Sequence, residues 1–201
     1  MKKLVNLCGI AMVIATAVAC NRNVENNNIQ NVNTEQIASA SENQEALFDD
    51  AYGEVAKRLR KEGVKYSAEY ERQAENGDFA AIANLADMYA YGIDVQPDRR
   101  KAYRFYSLLM QNGDVQAKAI VGYMTLYGFG PEEDTEKGLH LMVEAANEQS
   151  GLAFYFLGMF YAHNLPANDN IVAQAKIYFT EASKLGIAAA EDELNALNNK
   201  N

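Results

Sequence analysis

The stretch that decides the fold is YAYGIDVQPDRRKAYRFY, residues 89–106, because a matching stretch, TLYGFGPEEDTEKGLHLM, follows 36 residues later at 125–142. A glycine, a loop, an acid and a lysine keep the same places in both copies. A chain that repeats itself at a period between 20 and 50 residues is typical of a solenoid, in which each copy is one structural unit.

A series of alanines gives the register of the repeat. Ala81, Ala117 and Ala153 are spaced by 36 residues, and Ala190 follows after 37. Four positions after each alanine stands an apolar residue, and in the three full repeats the next residue is small: Ala86, Gly122 and Gly158. A spacing of four with an adjacent small position predicts a helix whose small residue faces a close neighbour.

Each repeat has the signals of two helices joined by a loop. The first helix is predicted to end near a residue that tolerates the left-handed conformation: Gly92, Gly128 or Asn164. A proline follows in the loop: Pro97, Pro131 or Pro166. The second helix is predicted to begin after a side chain that accepts hydrogen bonds from the first free amides: Asp98, Asp134 or Asn170.

The combined pattern resembles the Sel-1-like repeat, a relative of the tetratricopeptide repeat. Its carriers in repeat one are Ala81, Leu85, Tyr89, Gly92, Val95, Lys101, Ala102, Phe105, Tyr106 and Gly113; in repeat two Ala117, Gly122, Gly128, Gly130, Lys137, Ala145 and Ala146; in repeat three Ala153, Leu157, Gly158, Tyr161, Ala175, Phe179, Ala182 and Gly186. The pattern departs at Thr125, Gly138, Gln149 and Asn164. The resemblance implies an all-α, right-handed α-solenoid of helical hairpins that binds proteins.

The register divides the chain into seven segments. They are a signal peptide (1–19), an Asn-rich tether (20–40), an amino-terminal helix pair (41–80), three repeats (81–116, 117–152 and 153–189) and a capping helix with a short tail (190–201). In the amino-terminal pair, Ser41 and Gln44 form a possible capping box. The helix that follows is apolar at Leu47, Ala51, Val55 and Leu59, which predicts an amphipathic helix.

The first segment has the character of an export signal. Lys2 and Lys3 precede an uncharged apolar run that is shorter than the roughly 20 residues needed to span a bilayer. It ends in AVAC, which resembles the lipobox of bacterial lipoproteins and implies a lipid on Cys20; the alternative is cleavage by the ordinary signal peptidase. Because Asn21, not Asp, follows the cysteine, the resemblance implies an outer-membrane lipoprotein of the cell envelope that faces the periplasm.

The charge balance argues against nucleic acid as a partner. The chain carries 18 Lys and Arg against 27 Asp and Glu, and its one basic cluster is KRLRK at 57–61. Neutralising a phosphate backbone requires a basic surface. The cluster is interpreted as the solvated side of a helix, and the membrane contact as the lipid alone.

No set of residues in the sequence indicates catalysis, a metal or a cofactor. The only histidines, His140 and His163, lie in different repeats and in different kinds of helix. The acidic loop PEED, residues 131–134, lacks the alternating ligands and central glycine of a calcium loop. The sequence therefore predicts a protein that is not an enzyme and has no catalytic residues, metal ligands or cofactor.

The variable positions of the first helices offer two interpretations. In repeat one they hold a mixed set, Ala83, Asn84, Asp87, Ala90 and Tyr91, whereas those of repeats two and three are apolar and aromatic. They are either core between neighbouring helices or a concave groove that binds a protein segment. The candidate groove residues are Tyr91, Ile120, Tyr123, Tyr127, Tyr155, Phe156, Met159 and His163.

These observations favour a non-enzymatic, lipid-tethered module that binds a protein whose identity the sequence does not give. One alternative is a periplasmic immunity protein that neutralises a phospholipase-type toxin of a secretion system, as some exported Sel-1-like lipoproteins do. The other is an envelope hydrolase, for which the sequence offers neither the paired cysteines of some relatives nor the SxxK and KTG signatures.

Overall fold

A computed structural model describes residues 59–131, 134–165 and 168–199. Residues 59–62 are helical, and eight α-helices follow within these ranges, with no residue in a β-strand. Their bounds are α1 (Ala68–Glu75), α2 (Phe79–Tyr91), α3 (Arg99–Gln111), α4 (Val115–Leu126), α5 (Thr135–Asn147), α6 (Gly151–Asn164), α7 (Asp169–Lys184) and α8 (Ala189–Asn199).

The helices form a stack of hairpins. Repeats one, two and three are the pairs α2 with α3, α4 with α5 and α6 with α7, and packing is most extensive within each pair. Between repeats, α3 packs on α4, α5 packs on α6, and the first helices α4 and α6 also contact each other. The predicted all-α solenoid is confirmed, with α1 as the preceding half repeat and α8 against α7 as the last element described.

Two of the three predicted caps of the second helices are confirmed. The carboxylate of Asp98 accepts a hydrogen bond from the Lys101 amide at 3.0 Å, and that of Asp134 accepts one from the Lys137 amide at 2.9 Å. The predicted cap Asn170 is wrong, because α7 begins two residues earlier and Asn168 caps it. The earlier start places the Asp169 carboxylate in the first turn, where the helix dipole favours a negative charge.

The two helices of repeat two approach each other through a pair of glycines. A Cβ atom on Gly122 would lie 2.9 Å from the carbonyl oxygen of Gly138, and one on Gly138 would lie 2.7 Å from the carbonyl oxygen of Gly122. The backbones of α4 and α5 are therefore in direct contact at this point. The small residue that the repeat pattern predicts at Gly122 is required by this approach.

Several sequence predictions fall outside the described residues. These concern the signal peptide, Cys20, the Asn-rich tether, the capping box at Ser41, Pro166, and Glu132 and Glu133 of the acidic loop. Among the helices that are described, none combines the length and apolar character needed to cross a bilayer.

Candidate functional site

The candidate groove residues of repeats two and three are buried. We call the variable positions of the first helices the first-helix face. In α4 and α6, the side chains of this face are between 1 and 7% exposed: Ile120, Tyr123, Tyr127, Tyr155, Phe156 and Met159. The prediction of an open aromatic groove is wrong at these six positions, and the alternative interpretation as core describes them.

The buried part of the face is a layer of tilted aromatic rings that joins repeat two to repeat three. The ring centroid of Tyr123 lies 4.7 Å from that of Tyr127 and 4.5 Å from that of Phe156. The ring of Tyr155 lies 5.8 Å from that of Phe179 on α7. Such pairs add about 0.5 to 1.5 kcal/mol each beyond the area they bury, so this layer stabilises the contact between the two repeats.

A hydrogen bond closes one end of this layer. The hydroxyl of Tyr127 donates to the side-chain oxygen of Asn164 at 2.9 Å, which connects the ends of α4 and α6. Burial raises the pKa of the Tyr127 hydroxyl above its ordinary value, although the hydrogen bond to Asn164 acts in the opposite direction. The phenol is therefore held in its neutral form.

Repeat one places a polar pair where its neighbours place apolar side chains. Asp87 is 5% exposed, and its carboxylate accepts a hydrogen bond of 2.7 Å from the hydroxyl of Tyr106 on α3. Sequence reasoning grouped Asp87 with mixed surface residues and missed this pair. The available signal was an acid inside the apolar helix FAAIANLADMYAY, since a carboxylate that is buried there needs a donor.

The first-helix face is most accessible in repeat one and at its far end. Asn84 and Tyr91 are half-buried, and the His163 side chain is 38% exposed, with its Nε2 3.6 Å from a carboxylate oxygen of Glu193 on α8. Of the eight candidate groove residues, only Tyr91 and His163 lie outside the buried layer. The accessible positions therefore lie at the two ends of the first-helix face and not in its aromatic middle.

A second cluster of charged and aromatic groups lies between α1 and repeat one. The Lys101 ammonium sits 4.5 Å from the centroid of the Tyr89 ring and 3.2 Å from its hydroxyl, and that hydroxyl donates to Glu71 at 3.2 Å. The hydrogen bond with Tyr89 raises the pKa of Lys101. Tyr89 and Lys101 are repeat positions, whereas Glu71 lies on α1. The cluster therefore joins the half repeat to repeat one.

The chemistry-bearing side chains of the described ranges do not converge. His140 pairs with Glu144 at 3.7 Å on α5, whereas His163 faces α8. Within residues 59–131, 134–165 and 168–199, no group of three or more His, Cys, Asp and Glu side chains is placed to hold a metal ion.

Comparison with known proteins identifies the repeat. A family model described as the Sel1 repeat matches residues 79–114, 115–150 and 152–187. An uncharacterized Sel1-like repeat-containing protein of Schizosaccharomyces pombe is 33% identical over 82 residues, which are 40% of this chain and 12% of that protein. Chitin synthase regulatory factor 2 of the same organism is 26% identical over 143 residues, 70% of this chain and 27% of that protein.

A solved structure shows the same kind of fold. The crystal structure of a protective antigen present in uropathogenic Escherichia coli strains, which displays an SLR fold, aligns with a TM-score of 0.53 and 26% sequence identity. The alignment covers 64% of this chain and 27% of the antigen. The chain spans about a quarter or less of the length of each of these proteins.

Proposed function

The chain belongs to the Sel1-repeat family, and we propose that it is a non-enzymatic protein-interaction module held at the bacterial cell envelope by a lipid on Cys20. Sel1 repeats are generally protein-interaction modules, and proteins with this fold are typically scaffolds without catalytic activity. The observation that carries the proposal is the stacking of three matched repeats into one solenoid. A relative named as a regulatory factor is in line with it.

The partner-contacting surface we propose is the accessible end of the first-helix face, in repeat one. Asn84 and Tyr91 lie there, half-buried, on the helix that precedes the buried aromatic layer. The Asn84 amide can hydrogen-bond to a partner, and the accessible part of the Tyr91 ring, whose hydroxyl is buried, adds a rigid aromatic contact of the kind common at protein interfaces. The partner is accordingly a protein that presents an extended or helical segment.

The lipid part of the proposal rests on the sequence. AVAC at 17–20 resembles a lipobox, and seven of the thirteen residues from Asn21 to Asn33 are Asn, a composition typical of a tether. A lipid on Cys20 would keep the repeats near a membrane without inserting them in it. The expected location is the periplasmic side of the outer membrane.

Metabolic labelling with a fatty-acid analogue tests the anchor. We expect the wild-type chain to carry the label and to sediment with membranes, and Cys20→Ser to lose both properties. Cys8→Ser is the matched control, since Cys8 lies inside the apolar run and should not affect labelling. Label that persists in Cys20→Ser, or its absence from the wild type, would contradict lipidation at Cys20.

Photo-crosslinking in living cells tests the interaction surface. A photo-reactive amino acid at Asn84 should form an adduct with a protein partner, whereas the same amino acid at Leu108, 41% exposed on α3 of the same repeat, should not. Equal adducts at both positions, or none at position 84, would argue against the first-helix face. A secreted phospholipase toxin among the adducts would assign the immunity role.

A further inference from the structure

Two Asn-Gly pairs stand at equivalent helix ends, Asn76-Gly77 after α1 and Asn112-Gly113 after α3. No other Asn in the sequence is followed by glycine. Both asparagines and both glycines are exposed to solvent. A glycine amide has no side chain in front of it and a flexible backbone, so it can reach the carboxamide of the preceding Asn. Each pair is therefore a candidate site of spontaneous deamidation.

Deamidation at such a pair consists of ring closure followed by ring opening. The backbone nitrogen of the glycine forms a bond with Cγ of the Asn, and the carboxamide nitrogen leaves as ammonia with the proton of the glycine amide. Water then opens the cyclic imide at either of its carbonyl carbons, which leaves Asp or isoaspartate in place of Asn. Water is the only co-reactant, and solvent reaches both helix ends.

The same restraint acts on both pairs in the folded chain. The amide of Gly77 donates to the Ala74 carbonyl at 3.0 Å, and that of Gly113 donates to the Met110 carbonyl at 3.0 Å. At the two asparagines ψ is 4° and 12°, which turns the glycine nitrogen away from the Cγ that it must attack. The last turn of the helix must therefore open locally before the ring can close.

The two helix ends differ in what holds them closed. The Nδ2 of Asn112 donates to the Leu108 carbonyl at 2.7 Å, which restrains the carboxamide that would react. No such bond to the Asn76 carboxamide is found among the residues that the structure describes. Near the end of α3, Leu109 is 6% exposed, whereas Ala74 is the one buried residue of α1. Because a buried leucine removes more apolar area from water than a buried alanine, the end of α1 opens more readily.

We propose that Asn76 is a site of spontaneous deamidation that loosens the amino-terminal half repeat as the protein ages, and that the fold protects Asn112. The new carboxylate stands at the C-terminal end of α1, where the helix dipole disfavours a negative charge. Isoaspartate also lengthens the backbone just before Asp78, whose Oδ1 accepts hydrogen bonds from the Ala80 and Ala81 amides at 2.9 and 3.1 Å. The change therefore falls on the junction between α1 and the first helix of repeat one.

Incubation of the full folded chain in warm, mildly alkaline water enriched in heavy oxygen tests the reaction. Ring opening inserts a heavy oxygen atom, so peptide mapping by mass spectrometry measures how fast each Asn is converted. We expect Asn76 to react about fivefold faster than Asn112, the ratio that corresponds to one hydrogen bond. In denaturant the sequences ENGD, 75–78, and QNGD, 111–114, have no fold to restrain them, and the two rates should be equal.

A matched variant links the reaction to the structure. The carboxamide of Asn76→Gln lies one methylene further from the glycine amide, so this variant should not cyclise at a comparable rate. Hydrogen exchange of the α1 amides should rise with incubation time in the wild type and stay constant in Asn76→Gln. An equal rise in both proteins would show that deamidation does not loosen α1.

The rates themselves can overturn the proposal. Equal rates at Asn76 and Asn112 in the folded chain, or a faster reaction at Asn112, would show that the helix ends do not differ as described. No conversion of Asn76 in the time that the denatured chain needs to react would rule out the site. The inference is independent of the proposed function, because it concerns the covalent chemistry of the chain alone.

Discussion

The first helices of repeats one and two, α2 and α4, hold equivalent positions in the stack. The side chains that they bury at matching positions nevertheless differ in polarity. In α2, Ala86 is the small residue and the next residue, Asp87, pairs with the Tyr106 hydroxyl. In α4, Gly122 is the small residue and Tyr123 packs among aromatic rings. The comparison shows that the fold requires a small residue and a buried neighbour, and that the neighbour is polar only where a donor is supplied.

The largest expected effect comes from the small position in repeat two. Gly122→Leu would drive a side chain into the Gly138 carbonyl, which a Cβ atom alone would approach to 2.9 Å. Because backbone cannot move aside as a side chain can, we expect a loss of about 3 kcal/mol in the free energy of unfolding. Thermal melting followed by circular dichroism measures it. Arg104→Leu, at an exposed helical position, is the control, and an unchanged melting temperature for Gly122→Leu would refute the close approach.

The next effect concerns the polar pair of repeat one. Tyr106→Phe removes a hydrogen-bond donor from the buried Asp87 carboxylate. We expect the free energy of unfolding to fall by about 2 kcal/mol. Chemical denaturation measures this difference. If the variant is as stable as the wild type, the hydrogen bond does not contribute to stability. The conclusion that Asp87 is buried because Tyr106 supplies a donor would then be wrong.

A second substitution sharpens the same test. Repeat three has Met159 and Phe179 at the positions of Asp87 and Tyr106, and both are buried. Adding Asp87→Met to Tyr106→Phe copies this apolar pair into repeat one and should recover part of the lost stability, since no buried carboxylate is left. Further destabilisation by Asp87→Met would show that Asp87 has a structural role beyond this pair.

A smaller effect tests the contact between repeats two and three. Tyr127→Phe removes the hydrogen bond to Asn164. Near neutral pH this should lower the free energy of unfolding by about 1 kcal/mol. Burial raises the pKa of Tyr127 above its ordinary value of 10.0, so the unfolded chain loses this proton first as the pH rises. The wild-type free energy of unfolding should therefore fall above about pH 10, and the part of that fall due to Tyr127 should be missing in Tyr127→Phe. Denaturation curves with the same pH slope in both proteins would contradict the assignment.

The smallest expected effect is a gain in stability. Gln149 has a φ of 67°, at a helix end where the matching residues of the neighbouring repeats are Gly113 and Gly186, with φ of 89° and 91°. A non-glycine residue in this conformation costs about 1 kcal/mol, so Gln149→Gly should raise the melting temperature. The reverse change, Gly113→Gln, is the matched control and should lower it. A lower melting temperature for Gln149→Gly would mean that the side chain makes a contact that outweighs the strain.

The sequence predicted the hairpins well because their signals are local. Alanines at 81, 117 and 153 set the helical register, and an acid before a helix caps it wherever the chain runs, as Asp98 and Asp134 do. The cap of α7 was misplaced because ANDN, residues 167–170, offers two Asn residues and local pattern does not choose between them. The burial of Tyr123 and Phe156 was missed for another reason: their ring centroids lie 4.5 Å apart across two repeats, and the spacing within one repeat does not encode that contact.

The paired glycines of repeat two also bear on how such proteins are recombined. Gly122 and Gly138 fit each other because both belong to one hairpin, and Gly158 likewise lies against the ring of Phe179 on α7, the second helix of its own hairpin. A helix taken alone from one repeat would meet a partner that is adapted to a different spacing. The unit that duplication, deletion or design can exchange in this chain is therefore the whole hairpin, with both helices and the loop between them.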